Sequence, residues 1–228
     1  MKRSFDALVA LTLLTAILPL FVLIALAIKL DSPGPVFYRV RRVGYRGRTL
    51  MMLKFRKMHH DATGIPLTAN ADERLTRIGK ALARTRLDEL PQLWDVLRGR
   101  MSLVGPRPED PGFVALHVDA YEHILTVRPG ITGLSQLAFA QEHKILNEED
   151  MIADYVKRIL PQKIGLDTMY ASSYRIRMDL AVFGWTVIAM LLRKPVAVHR
   201  ATGRMGVRKR PCPAPAAATE SYAVAKAA

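Results

Sequence analysis

From Ala7 to Ile28 the chain is apolar and uncharged for 22 residues. At about 1.5 Å of rise per residue, a helix of that length reaches across the hydrocarbon core of a bilayer. Three readings compete. A secretory signal fits the Lys2-Arg3 start and Ala25-Leu26-Ala27 near the end, although the apolar core is long for a signal. A plain transmembrane helix fits the length. A re-entrant helix over residues 1–30 fits the charges: Lys2 and Arg3 precede the run, while Lys29, Arg39, Arg41, Arg42, Arg46 and Arg48 follow it. Cations at both ends hold both ends on the cytoplasmic side. Pro19, midway, removes a backbone donor and crowds the preceding turn, which kinks a helix. Charge and Pro19 leave the hairpin and the straight span both open.

The turn cluster Asp31-Ser32-Pro33-Gly34-Pro35 ends the apolar segment. Val36 to Leu53 alternates apolar and basic residues around Gly44 and Gly47, which predicts a small β-hairpin. Asp72 to Arg84 places Leu75, Ile78 and Leu82 on one stripe, with Asp72 and Glu73 in the first turn of a predicted helix. Leu90, Leu93, Trp94 and Leu97 repeat at i, i+3, i+4 and i+7, predicting an amphipathic helix with Asp88 in its N-cap region, Pro91 in its first turn and Gly99 as its C-terminal cap. Asn147-Glu148-Glu149-Asp150 opens another helix, which Pro161 is expected to close. Leu180 to Leu192 is apolar but too short to span, so it is either core or a helix lying on the membrane surface. These elements predict a mostly helical α+β fold: a membrane helix over 1–30, a catalytic unit on the cytoplasmic side over 31–203, and a disordered Pro/Ala-rich tail over 204–228.

Composition changes the picture in one respect. At 228 residues and 50% hydrophobic the chain can bury a single core, but its formal charge of +14 calls for a polyanionic partner. No Asp or Glu occurs from Ser32 to His60, and beside an apolar run such a block suits anionic headgroups. Charge alone would also suit a basic nucleic-acid-binding protein, yet no zinc-finger or aromatic-basic RNA-binding pattern supports that. The single cysteine, Cys212, excludes an intramolecular disulfide framework and a Cys-rich metal site. His59-His60 lacks a third ligand at a suitable spacing, and His117, His123, His143 and His199 are scattered.

The candidate chemistry lies in Arg86-Leu87-Asp88-Glu89-Leu90-Pro91, followed by Gly105-Pro106-Arg107-Pro108. Adjacent carboxylates between fixed guanidiniums suit a phosphorylated substrate. A carboxylate at a helix start is kept ionised, which serves a nucleophile or a ligand for Mg²⁺. Arg86 and Arg107 are placed to clamp phosphate oxygens, and Lys54 and Arg56 of the basic hairpin to join them. On spacing alone, Asp88-Glu89 reads first as helix capping and Gly105-Pro106-Arg107-Pro108 as a rigid turn.

The ordered motifs carry a resemblance. Lys2-Arg3-Ser4-Phe5-Asp6, Ser32-Pro33-Gly34-Pro35-Val36-Phe37, Arg42-Val43-Gly44, Lys54-Phe55-Arg56-Lys57-Met58 and Leu75-Thr76-Arg77-Ile78-Gly79 come first. Leu87-Asp88-Glu89-Leu90-Pro91-Gln92-Leu93, Ser102-Leu103-Val104-Gly105-Pro106-Arg107-Pro108 and Arg128-Pro129-Gly130-Ile131-Thr132-Gly133 follow, and then Asp167, Tyr170 and Asp179. From Lys2 to about Leu192 the chain resembles the bacterial sugar transferases, the monotopic polyprenyl-phosphate phosphoglycosyl transferases, in their small form consisting of the catalytic domain alone.

The resemblance implies a two-step transfer of sugar 1-phosphate from a UDP-sugar donor to polyprenyl (undecaprenyl) phosphate, with release of UMP. It implies Mg²⁺ as cofactor, attachment to inner-membrane lipids at the cytoplasmic face by a kinked re-entrant helix, and membrane-surface amphipathic helices. The step would begin an exopolysaccharide, capsule, O-antigen or glycoprotein glycan; a homodimer is an allowed state, and no nucleic acid is involved. Asp88 would be the nucleophile, and Glu89 would position the metal, with Asp88, or handle the acceptor's proton. Lys54, Arg56, Arg86, Arg107 and Arg128 would bind substrate. Two positions depart from the usual pattern. Leu18 precedes Pro19 where relatives often carry a Ser able to bond a freed carbonyl, and Arg100 follows Gly99 where an acidic residue is common.

Overall fold

The apolar run folds as two helices, α1 (Lys2–Ala16) and α2 (Leu18–Asp31), bent by 62° at Ile17. Pro19 falls in the first turn of α2, where its missing N–H leaves no helical bond unmade. The bend forms without the Ser that Leu18 replaces. Thr12 and Thr15 on the α1 side donate their hydroxyls back to Leu8 and Leu11, a bonding mode that itself bends helices. Among the described residues no single helix is long and apolar enough to cross a membrane, whereas the bent pair together has the length and composition. The computed structural model describes residues 2–64, 67, 72–142, 146, 150–173, 175–192 and 195–208.

Both ends of the bent pair are rooted in one body. Lys2 Nζ donates to Asp179, to the Tyr170 hydroxyl and to Val104 O, and the Asp6 carboxylate accepts from Ser102 at 2.7 Å. Arg3 caps the carbonyls of Val96 and Leu97. At the other end the Asp31 carboxylate accepts the Ile78 N–H at 3.0 Å. The outward faces of both helices keep Leu8, Leu11, Val22, Leu23, Leu26 and Leu30 exposed.

The predicted hairpin is present. β1 (Phe37–Val43) pairs antiparallel with β2 (Thr49–Phe55), in register from Phe37↔Phe55 to Val43↔Thr49. Leu50 and Met52 point into the core, and the Phe55 ring meets that of Phe21 of α2 in a tilted contact. The next helix, α3 (Arg77–Thr85), starts later than the expected Asp72. The Asp72 side chain is taken by the backbone and guanidinium of Arg74, and Leu75 forms a β-bridge to Met58, so Thr76 becomes the N-cap. Gly79 then brings α3 against the preceding chain: a Cβ there would lie 1.7 Å from Lys57 O. Gly79→Ala should lower stability by about 2 kcal/mol or more, measured by thermal unfolding in detergent, since the obstacle is backbone and cannot rotate away.

Next come α4 (Gln92–Leu97), β3 (Ser102–Val104), α5 (Pro111–Ala115), α6 (Val118–Ile124), β4 (Gly130–Thr132) and α7 (Leu134–Ala138). Gly99 follows α4 with φ 73°, as expected of its cap. β3 and β4 pair in parallel and are crossed by Gly105 and Gly130, whose backbones approach too closely for any Cβ. α8 (Met151–Asp154) is capped by Asp150, while 147–149 lie outside the described residues. Pro161 does not close this helix. A π-helical turn, Tyr155–Ile159, leads directly into α9 (Leu160–Ser172), where Pro161 occupies the first turn.

α10 (Ile176–Leu192) contains the expected apolar segment and is apolar on more than one face: Val182 is fully buried while Leu180, Val187, Ile188 and Met190 are exposed. It is thus part core and part surface, not a polar-backed amphipathic helix. β5 (Val196–Val198) and β6 (Met205–Val207) form a last hairpin, so regular structure continues beyond the expected boundary at residue 203. Residues 209–228, the bulk of the expected tail, lie outside the described residues. The main core joins Ala10, Leu50, Met52, Leu93, Val96, Leu103, Leu134, Leu166, Tyr170 and Val182, which locks α1, the hairpin, α4 and α9 around the loop that follows α3.

Candidate active site

That loop carries the acid pair. Arg86 ends α3 in the left-handed region (φ 58°, ψ 18°), a conformation that disfavours non-glycine residues and turns the chain sharply. Asp88 and Glu89 then sit in a single 3₁₀ turn, Leu87–Glu89, one step ahead of α4. This corrects the expectation of an N-cap: the residue flanking α4 is Pro91, and no side chain caps the helix. The dipole of so short a helix is therefore not what sets the Glu89 charge; its neighbouring cations are.

Lys54 Nζ, from the end of β2, lies 2.7 Å from Glu89 Oε1, and Arg107 Nη2 lies 3.4 Å from the same oxygen. Burial works against the Glu89 charge, but Lys54, Arg107 and Arg86 outweigh it and hold the carboxyl below the usual carboxylate range. Burial conversely pushes the Lys54 ammonium down, opposed by Glu89 and Asp88. Asp88 is only 3% exposed, and its Oδ2 faces Lys57 Nζ at 3.6 Å. Gly79 and Thr76 pack on the backbone of Lys57, so the α3 start fixes the Asp88 neighbour. Arg86 reaches across to donate to Ala140 O at 2.6 Å.

Of the predicted substrate ligands, Lys54, Arg86 and Arg107 are brought around the pair. Arg56 and Arg128 are not. The Arg56 guanidinium is buried in the turn after α2, donating to Pro33 O and to Ser32 O and Oγ. Arg128 is exposed, donates to Gly99 O at 2.9 Å and lies over the Tyr45 ring. Turn carbonyls hold Arg56, and a carbonyl and an aromatic face hold Arg128.

The sequence reading missed Lys57 as a site residue, and it missed a second layer behind Arg107. Glu142 pairs with Lys163, Lys163 donates to the Tyr155 hydroxyl at 3.2 Å, and Tyr155 donates to Glu109 at 2.7 Å. A lysine inside apolar α9, one turn before Asp167, was the available signal. Asp167 is 5% exposed, with Oδ1 lacking a hydrogen-bond partner among the described residues; burial pushes its carboxyl up to about 7, against Ser135, Lys163 and the Arg107 N–H. A raised native pKa means this group favours folding fully below its ordinary carboxylate value, and the contribution is lost as pH rises through about 7. Asp167→Asn, which resembles the protonated form, should flatten a slope of about 1 kcal/mol per pH unit between roughly pH 4 and 7. Unfolding temperatures across that range check it; an unchanged slope would assign the dependence to another group.

A buried and a half-buried carboxylate, adjacent and within a ring of cations, thus lie beside a bent apolar helix pair on a body with a large exposed apolar face. Comparison with known proteins gives the family. Residues 1–193 match the family described as bacterial sugar transferase, and the chain belongs to it, which makes it a transferase. It is 38% identical, over 82% of its length, to an undecaprenyl-phosphate glucose phosphotransferase of Komagataeibacter xylinus, of which it spans 35%. It is 38% identical to the exopolysaccharide production protein PSS of Rhizobium leguminosarum bv. phaseoli, covering 85% of this chain and 96% of that one. An Aeromonas hydrophila UDP-N-acetylgalactosamine-undecaprenyl-phosphate N-acetylgalactosaminephosphotransferase is 40% identical over 80% of the chain, which spans 44% of it.

Proposed function

We propose that the chain transfers sugar 1-phosphate from a UDP-sugar to polyprenyl phosphate, releasing UMP, as the first membrane step of an exopolysaccharide-type glycan. The observation that carries this reading is the division of labour within the acid pair: Glu89 is tied to Lys54 and Arg107, while among the described residues Asp88 pairs with Lys57 at 3.6 Å. In the first step an Asp88 oxygen attacks the phosphorus bearing the sugar. The bond to the UMP phosphate breaks, UMP leaves with the electron pair, and an aspartyl-phosphosugar remains. In the second step a polyprenyl-phosphate oxygen attacks the same phosphorus and frees the Asp88 carboxylate. Lys54, Lys57 and Arg107 counter the charge that develops.

Glu89 had two candidate roles. With its carboxyl held below the usual range it is a poor proton carrier at neutral pH, which favours its role in organising cations. The donor set suits Mg²⁺, a hard ion that takes one or two carboxylates and completes its shell from substrate phosphates. Asp88 and Glu89 would hold it, and when bound it would neutralise the diphosphate. Both ends of the α1–α2 pair are tied to the body that carries the site, which supports a re-entrant helix, and the cations flanking the apolar run support the cytoplasmic face for that body.

The test is UMP release by the full chain in detergent, with undecaprenyl phosphate, Mg²⁺ and a panel of UDP-sugars. Release with at least one donor, dependent on both the lipid and Mg²⁺, is expected. Silence across the panel would overturn the reading.

A further inference from the structure

Arg39, Arg98 and Arg100 gather around one carboxylate away from the acid pair. Asp95, on α4, is 2% exposed, and its Oδ2 accepts the N–H of Leu53, the cross-strand partner of Arg39. Its Oδ1 lies 3.8 Å from Arg100, whose side chain is 50% exposed. Arg98 lies with its guanidinium 5.0 Å from the Trp94 ring centroid. Three exposed cations thus share one buried acid; among the described residues neither Arg39 nor Arg98 forms an ion pair of its own.

The neighbours of the cluster say what anion would come. Trp94 is 46% exposed, Phe37 is exposed two residues before Arg39 on the same strand face, and both lie on the body that carries the exposed leucines of α1 and α2. Exposed aromatics beside exposed guanidiniums match the headgroup level of a bilayer, where rings sit among glycerol backbones and cations meet phosphates. A free phosphate would gain nothing from the aromatics. We propose that Arg39, Arg98 and Arg100, bordered by Trp94, bind the phosphate of an anionic phospholipid and seat α4 at the membrane surface.

The experiment is native mass spectrometry of the full chain released from mixed micelles of detergent with either phosphatidylglycerol or phosphatidylcholine. The wild type should retain phosphatidylglycerol in preference to phosphatidylcholine. Arg98→Gln with Arg100→Gln should lower the phosphatidylglycerol adduct roughly tenfold or more and leave the phosphatidylcholine adduct unchanged. The single Arg98→Gln, at an exposed side chain with no ion pair among the described residues, should weaken it in the same direction and guards against misfolding of the double variant. Equal retention by the variants would overturn the proposal. Displacement of the lipid by millimolar inorganic phosphate would overturn it too, by showing a site for free anions.

Discussion

Asp88→Asn is expected to reduce UMP release by about 10⁴-fold or more while leaving the protein folded. The substitution keeps the shape of a side chain that is almost wholly buried and replaces only its charge and nucleophilicity. Among the described residues its ion-pair partner is Lys57, a quarter exposed and 3.6 Å away, so stability should change by no more than about 1 kcal/mol. Loss of turnover through electrostatics alone would look similar, and a second measurement separates the two. If Asp88 forms a covalent phosphosugar, labelled UMP should exchange into UDP-sugar with no polyprenyl phosphate present, and the protein mass should rise by one sugar phosphate. Asp88→Asn should abolish both signals. Near-normal turnover in the variant would remove Asp88 as nucleophile, and wild-type exchange that required the lipid would replace the two-step route by direct transfer.

Much of this geometry was written locally in the chain, and the part that was not has identifiable causes. The β1–β2 hairpin was legible because alternation and two glycines are local signals. Pro19 announced the bend in the same way. The setting of the acid pair was not legible, because it depends on Arg86 adopting a left-handed backbone, which nothing in an arginine advertises. Arg56 and Arg128 carry the right charge for phosphate, yet their partners, the Ser32-Pro33 carbonyls and Gly99 O, are backbone groups that acquire direction only on folding. Lys57, Glu109, Glu142 and Lys163 come from four separated segments, and no spacing rule joins them. Pro161 misled for a related reason: a stop signal read locally became a first-turn residue once a π-helical turn preceded it. The motif glycines, by contrast, were visible in the sequence, and their reason emerged only as contacts, Gly79 on Lys57 O and Gly105 on the Gly130 backbone.

Lys54→Met should destabilise the protein by about 2 kcal/mol, and Glu89→Gln by a similar amount, because each leaves a charge of a half-buried pair without its closest partner. The double variant should recover to within about 1 kcal/mol of wild type, since it removes both charges and their desolvation together. Chemical denaturation in detergent measures the three. pH supplies a sign. The depressed Glu89 carboxyl stabilises the fold above the ordinary glutamate range, and that contribution is lost as pH falls below the range toward the native value. Glu89→Gln should therefore lose less stability on acidification than wild type. Activity should not follow stability. The double variant lacks both the cation facing the developing phosphate charge and the carboxylate that organises the site, so it should stay inactive even where its fold is restored. Additive destabilisation with no recovery would mean that Lys54 and Glu89 act separately, Lys54 on the substrate and Glu89 through Arg107; recovery of both stability and turnover would show the pair to be structural and leave Asp88 to work without it.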